Sequence, residues 1–94
     1  MATIPIFIKD PNATLDYGVD WRDWLESGET IASVEWTVES GLTSGTESES
    51  GGIAKVWLSG GTVDNTYLVT CRVTTSNSPA RIEDRSFNVK VESR

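Results

Sequence analysis

The 94-residue sequence has no histidine and a single cysteine, Cys71. The lack of histidine removes the commonest general base and the usual Ser-His-Asp triad. A single cysteine excludes an intrachain disulfide, and without histidine a Cys/His zinc site is excluded as well. We therefore expect no enzymatic activity and no zinc. A fold that is stable without a disulfide also fits synthesis in a reducing cytoplasm.

Long apolar runs and a net positive charge are also missing. No segment approaches the roughly 20 apolar residues of a membrane helix, and the N-terminus MATIPIFIKD lacks the basic region of a signal peptide. The formal net charge is −6, and an acidic chain repels phosphate. We therefore expect a protein that binds neither membrane nor nucleic acid and is not exported by a cleaved signal.

The acidic residues are concentrated in the first half of the chain. Residues 1–50 carry ten acids and two bases, whereas residues 51–94 carry four acids and six bases. Solubility accounts for this balance, and the alternative is that the opposite charges help neighbouring copies or a basic partner to dock. A calcium site is not expected, because Asp16 and Asp20 would lie about 13 Å apart along one strand. We predict no metal and no cofactor.

What the sequence does contain is alternation of apolar and polar residues, interrupted by turn-forming Gly, Pro, Asn and Ser. Such alternation with period two is typical of half-buried β-strands. Seven strands are predicted, at Thr3–Lys9, Leu15–Trp21, Thr30–Glu39, Leu42–Glu49, Ile53–Ser59, Tyr67–Thr75 and Arg85–Glu92. Their number and spacing predict an all-β fold, an immunoglobulin-like sandwich of about seven antiparallel strands in a single domain spanning residues 1–94.

The phase of the alternation predicts which side chains face the core. They include Leu15, Ala32, Tyr17, Trp21, Trp36, Tyr67, Cys71 and Phe87. Cys71 is interpreted as a small buried apolar residue. Tyr67 opens its strand after a glycine-containing loop, in the manner of the tyrosine corner of immunoglobulin domains. The segment RDWLESGE is predicted to form one helical turn that closes an end of the domain.

Four residues are candidates for an interface with a partner. Trp57 is out of phase with the apolar residues of its strand, so it is either covered locally or exposed as an interface anchor. Trp24 lies near a turn and either caps the core or contacts a partner. Ile4 and Phe7 belong to residues 1–8, an apolar arm that either forms an edge strand, as Pro5 suggests, or extends to a neighbouring subunit.

A series of ordered motifs resembles a known family. The motifs are KDP, LDYGVDW, WL, ETI followed by Trp36, VWLSGGT, TYLVTCRVTT and DRS, and they span Lys9 to Val91. In this order they are similar to a family of small proteins encoded among the structural genes of tailed bacteriophages and prophages. Its members are often described as phage fibre–tail adaptors, and Cys71 occupies a position where polar residues are common among them.

The resemblance implies a non-enzymatic structural protein of the virion, assembled in the host cytoplasm. It implies other virion proteins of the tail, neck, fibre or capsid as partners, and a symmetric assembly of several copies. An adaptor joining tail or neck to fibres is the first interpretation, and a head decoration protein that cements the capsid is the alternative. A third possibility is a carbohydrate-binding module that uses Trp24 or Trp57 as a stacking platform.

Overall fold

The computed structural model describes residues 5–93 and shows an all-β chain, with no α-helix among those residues. Each predicted strand has a counterpart at nearly the same place, although the last one begins three residues earlier than predicted. The strands are β1 (Ile6–Lys9), β2 (Leu15–Asp20), β3 (Ile31–Val38), β4 (Leu42–Ser50), β5 (Ile53–Gly60), β6 (Thr66–Thr75) and β7 (Ile82–Val91).

The strands form two sheets that pack face to face as a β-sandwich. One sheet has four strands in the order β1-β7-β6-β3, and the other has three in the order β2-β5-β4. Strands β3, β6 and β7 thus share one sheet, and β2, β4 and β5 share the other, which is how strands C, F, G and B, D, E divide in immunoglobulin domains.

The first strand corrects the expectation that all pairings are antiparallel. β1 pairs in parallel with β7, with Ile6 opposite Asn88 and Lys9 opposite Val91. Parallel neighbours need a long crossover connection, and here the connection is nearly the whole domain, which no local sequence pattern can reveal. The part of the arm that the structure describes therefore forms an edge strand, whereas Ile4 lies outside the described residues.

The core lies between the sheets and is built mostly from β5, β6 and β7. In β6 alternate residues are buried, because one face packs on the opposite sheet and the other meets solvent. The buried apolar residues are Trp21, Leu42, Ala54, Val56, Leu58, Tyr67, Val69, Cys71, Val73, Phe87, Val89 and Val91. Tyr17 and Trp36 are half-buried and pack against this core from the edges of the two sheets.

Two residues predicted to face the core are exposed. Leu15 is 42% exposed because it begins β2, which is an edge strand of its sheet. Ala32 is exposed because the register with β6 shifts between Ile31 and Ser33. One extra residue in a strand reverses the faces of its neighbours, so the phase extrapolated from Trp36 back to Ala32 was wrong.

A buried lysine connects the two sheets at one end of the sandwich. Lys9, at the end of β1, is fully buried. Its Nζ donates hydrogen bonds to the carbonyl oxygens of Gly60 at 2.8 Å and Asp10 at 2.9 Å. Burial lowers the pKa of Lys9 below its usual 10.5, and the two carbonyls satisfy an ammonium group that would otherwise be costly to bury.

Near the same end, the Tyr67 hydroxyl accepts a hydrogen bond from the backbone N–H of Thr62, five residues earlier, at 2.8 Å. This is the type of contact that a tyrosine corner makes. The loop comes so close to the core that only glycine fits at Gly61, where φ is +95° and an added Cβ would lie 2.6 Å from Val91 Cγ2.

Candidate functional site

Trp57 is the most exposed of the tryptophans, with 43% of its surface accessible. It lies on β5, the central strand of the three-stranded sheet, on the side opposite to the buried Val56 and Leu58. Its side chain therefore projects from the middle of a sheet rather than from a loop. A large amphipathic ring on a rigid element loses little conformational entropy when it is covered, which suits an interface anchor.

The residues around Trp57 leave its ring open. Asp16 on β2 lies directly opposite Trp57. On the β4 side, a Cβ added at Gly45 would meet Trp57 Cβ at 3.5 Å, so the glycine leaves that flank without a side chain. Lys55 and Gly18 form the next cross-strand pair on the same face of the sheet. We call this surface the Trp57 face, defined by Asp16, Gly18, Gly45, Lys55 and Trp57.

Trp24 has a different environment. It is half-buried in the turn after β2, where the backbone N–H groups of Trp24 and Leu25 both donate to the carbonyl of Trp21 and form one helical turn, as predicted. Its ring meets the ring of Trp21 edge to face, with centroids 5.2 Å apart. The Arg81 guanidinium lies 4.1 Å from the centre of the Trp24 ring. Much of Trp24 is therefore already in contact with other groups of the domain.

A second arginine completes this arrangement. The Arg85 guanidinium lies 4.4 Å from the centre of the Trp21 ring, and its Nη1 donates to the carbonyl of Asp20 at 2.9 Å. Arg85, Trp21, Trp24 and Arg81 thus lie in a row, with the two indole rings in the middle and one guanidinium against each of them. Each such contact is worth roughly 0.5–2 kcal/mol, and more when it is shielded from water. The tryptophans of the LDYGVDWRDW motif are held by bases from β7 and the loop before it.

Glu29 anchors the same end of the sandwich. It is one of the few buried charged residues, and it accepts hydrogen bonds from Arg81, from Asn77 Nδ2 at 2.7 Å and from the backbone N–H of Glu26 at 2.8 Å. Arg81 lowers the pKa of Glu29 to about 2, against the opposing effect of burial. These contacts link the β2–β3 connection to the β6–β7 loop, so they stabilise the fold instead of offering a reactive carboxylate.

Phe7 combines packing with exposure. It is 41% exposed, yet its ring lies 5.4 Å from that of Phe87 and 5.6 Å from that of Tyr17, measured between centroids. Phe7 therefore covers the open side of the sandwich between β1 and β2. Ile6 and Ile8 are also exposed and project from the opposite side of β1. The described part of the N-terminal arm is thus an apolar edge.

The described residues show no constellation typical of catalysis. Among residues 5–93 no group of three or more Asp, Glu or Cys side chains is placed to hold a metal ion. Cys71 is fully buried, and burial raises the pKa of its thiol to about 11, which leaves it as a poor nucleophile at neutral pH. The same part of the chain contains no helix of the length and apolarity needed to cross a membrane.

Sequence reasoning singled out the aromatic residues but missed the charged ones that hold them. Arg81 and Glu29 are 52 residues apart in the sequence, and no motif connects them. Lys9 was noted only as part of the KDP motif, although it is buried. A buried charge in a single sequence looks the same as an exposed one, so only the fold reveals these partners.

One comparison with known proteins gives a match. A family model described as "Podophage GP4 fiber-tail adaptor protein gp77" matches residues 9–90. Among curated proteins none matches the chain. The matched region covers nearly the same residues as the motifs from Lys9 to Val91, and the resemblance drawn from those motifs is confirmed.

Proposed function

The chain belongs to the family of podophage GP4 fiber-tail adaptor proteins, and from that premise we propose that it is a non-enzymatic virion protein that joins the tail or neck to the fibres. The family match over residues 9–90 is the observation that carries this proposal. The described residues support it with a rigid sandwich and an exposed aromatic side chain, Trp57, that can serve as an interface anchor.

The Trp57 face is the surface that we assign to the adaptor contact. Trp57 is exposed at the centre of a rigid sheet, and Asp16 and Lys55 beside it supply polar groups of both signs. Binding hot spots have this composition, with an aromatic anchor surrounded by polar residues that exclude water once the partner is bound. Trp24, which packs between the ring of Trp21 and the guanidinium of Arg81, is assigned to stability instead.

Several copies are expected to act together. An adaptor on a tail is repeated by the symmetry of the tail, so about six or twelve copies per virion are expected. Weak single contacts then become strong through multivalency. The protein would be made in the host cytoplasm and incorporated there into the virion with its tail, neck or fibre partners, and nucleic acid and membrane would not be among its ligands.

The test is a pair of matched variants in phage particles. Trp57→Ala removes the proposed anchor, and Leu68→Ala removes an equally exposed apolar side chain from the outer face of the other sheet. Quantitative mass spectrometry of purified particles should find about six or twelve copies of the wild-type chain. Trp57→Ala should reduce its incorporation, or that of the fibre, roughly tenfold or more, whereas Leu68→Ala should not.

Other results would support other functions. A copy number close to that of the major capsid protein would favour the head decoration protein, and absence from the particle would exclude a virion role altogether. The exposed Trp57 ring beside Asp16 also suits stacking on a sugar. A carbohydrate-binding module would show normal particle assembly but lost glycan or cell binding in Trp57→Ala.

A further inference from the structure

A groove runs along the open side of the sandwich, away from the Trp57 face. It lies between β3 and β4, which are the last strands of their respective sheets. Among residues 5–93 no strand pairs with the outer edge of either. Two adjoining clefts of about 260 and 340 Å³ form this groove, and Ile31 and Glu49 line both.

The two walls of the groove have opposite character. The β3 wall is apolar, because Ile31, Val34 and Trp36 are only half-buried against the core. The β4 wall carries the carboxylates of Glu47 and Glu49. These two residues lie opposite Val56 and Ala54 on β5, which are fully buried. Because directly opposed residues share a face of the sheet, both carboxylates occupy the core-facing side, where a closed sandwich would have apolar residues.

A register shift in β4 places the carboxylates there. Leu42 faces the core, and simple alternation from Leu42 would send Glu47 and Glu49 outward. The register with β5 shifts between Ser44 and Glu47, as in a β-bulge, and the extra residue reverses the faces of the strand beyond it. The charge of Glu47 is accordingly felt at the buried Cys71, where it contributes to the raised pKa of the thiol.

Neither carboxylate is neutralised within the described part of the chain. The ion pairs formed by residues 5–93 involve other acids, and Glu49 accepts a hydrogen bond from the uncharged backbone N–H of Gly52 at 3.0 Å. Inward charges on an edge strand protect it against pairing with other sheets. That protection explains the carboxylates but not the half-exposed apolar wall that faces them.

We propose that the β3/β4 groove binds an extended segment of a partner virion protein in which basic and apolar residues alternate. Residues i and i+2 of an extended chain lie about 7 Å apart on one side, which equals the separation of Glu47 and Glu49 along β4. A basic–apolar–basic tripeptide therefore pairs both carboxylates and directs its central side chain towards Ile31, Val34 and Trp36. The inference deepens the adaptor function and rests on it only for the virion source of the segment.

The binding test uses synthetic peptides and the complete chain. The probe is Ser-Gly-Lys-Val-Arg-Val-Lys-Val-Gly-Ser, and the control peptide has Glu in place of each basic residue. In ¹⁵N–¹H correlation spectra the four indole N–H signals can be assigned with single Trp→Phe variants. The probe should shift the Trp36 signal and the backbone signals of Glu47 and Glu49, should leave the Trp57 signal in place, and should bind more weakly as salt increases. The control peptide should produce no shifts.

Charge variants then test the carboxylates themselves. Glu47→Gln/Glu49→Gln keeps the side-chain shapes and should weaken probe binding roughly tenfold. Asp23→Asn/Glu83→Gln removes the same charge from exposed residues outside the groove and should change affinity less than about twofold. The reversed variant Glu47→Lys/Glu49→Lys should bind the control peptide instead of the probe.

The proposal is overturned if the probe does not bind, if both double variants weaken binding equally, or if the shifts spread over the surface or centre on Trp57. These outcomes are independent of the particle experiments above. If purified particles lacked the protein, the bound segment could not come from a virion partner. The peptide experiment would still show whether the groove binds basic extended segments.

Discussion

Arg81 donates hydrogen bonds to both carboxylate oxygens of Glu29, across 52 residues of sequence. The two side chains differ in exposure, since that of Glu29 is 1% accessible and that of Arg81 is 35% accessible. Loss of the arginine would leave a buried carboxylate without its cation, whereas loss of the carboxylate would leave an arginine that water can reach.

We therefore expect the two single substitutions to have unequal effects. Arg81→Leu should lower the Tm by roughly 10 °C or more, because an unpaired buried charge is strongly destabilising. Glu29→Gln should lower it by clearly less, since the guanidinium keeps its contact with Trp24. Thermal unfolding followed by circular dichroism at pH 7 measures both. Equal losses, or a larger loss in Glu29→Gln, would contradict this account.

The same pair gives the stability of the protein a pH dependence. The pKa of Glu29 falls from its usual 4.5 to about 2 in the folded chain, chiefly because of Arg81. Between about pH 5 and pH 2 the unfolded chain therefore takes up a proton that the folded chain resists, and stability falls as the pH falls. Above this range both states carry the charge and the contribution is constant.

Urea unfolding at several pH values measures this dependence. Glu29→Gln should flatten the decline between pH 5 and pH 2. Asp20→Asn is a suitable control, because Arg22 also lowers the pKa of Asp20 to about 2 but the Asp20 side chain is largely open to solvent, where ion pairs contribute little. If Asp20→Asn flattened the decline in stability more than Glu29→Gln did, burial of the ion pair would not be the cause of the pH dependence.

Cys71 is expected to be unreactive in the folded protein. Its thiol is fully buried, and burial raises its pKa to about 11, so little thiolate exists at pH 8. A thiol-reactive dye such as DTNB should modify the native chain far more slowly than the chain in 6 M guanidinium chloride, by a factor of roughly a thousand or more. Comparable rates in the two states would show that the core around β6 opens readily.

A side chain at Gly61 is expected to destabilise the fold more than one at an open glycine position. An added Cβ there would lie 2.6 Å from Val91 Cγ2, and φ is +95°. Gly28→Ala is the matched control, since φ is +79° but nothing lies within 4 Å of the added atom. The control carries only the backbone cost, about 1 kcal/mol, while Gly61→Ala adds overpacking of about 1–3 kcal/mol. Equal urea midpoints for the two variants would show that overpacking against Val91 does not contribute to the cost of Gly61→Ala.

The sequence predicts those features of the structure that depend on neighbouring residues in the chain. Alternation located five of the seven strands, because period two reports which face of a strand is buried. Strands β1 and β4 were predicted from their apolar residues or the glycine turns beside them. Alternation failed at Ala32 and could not anticipate the inward turn of Glu47 and Glu49, because a single extra residue in a strand reverses the phase without leaving a clear mark in the sequence.

The candidate site was predicted only in its aromatic part. An out-of-phase tryptophan in a regular strand is visible in the sequence, and Trp57 is exposed in the structure. The arginines over Trp21 and Trp24 come from distant β7 and the loop before it, and the parallel partner of β1 lies at the other end of the chain. Contacts of this kind depend on the complete topology, so the residues that make them resemble ordinary surface charges until the chain is folded.

The parallel pairing of β1 with β7 has a mechanical consequence. The chain enters the pair beside Asn88 and leaves it beside Lys9, at the opposite end. Tension applied between the two ends of the chain would therefore pull the strands past each other along their length. The hydrogen bonds joining them would share that load and would have to break together, with the buried Lys9 ammonium resisting at the far end. A domain with this arrangement is suited to transmitting force along a tail or fibre without unfolding.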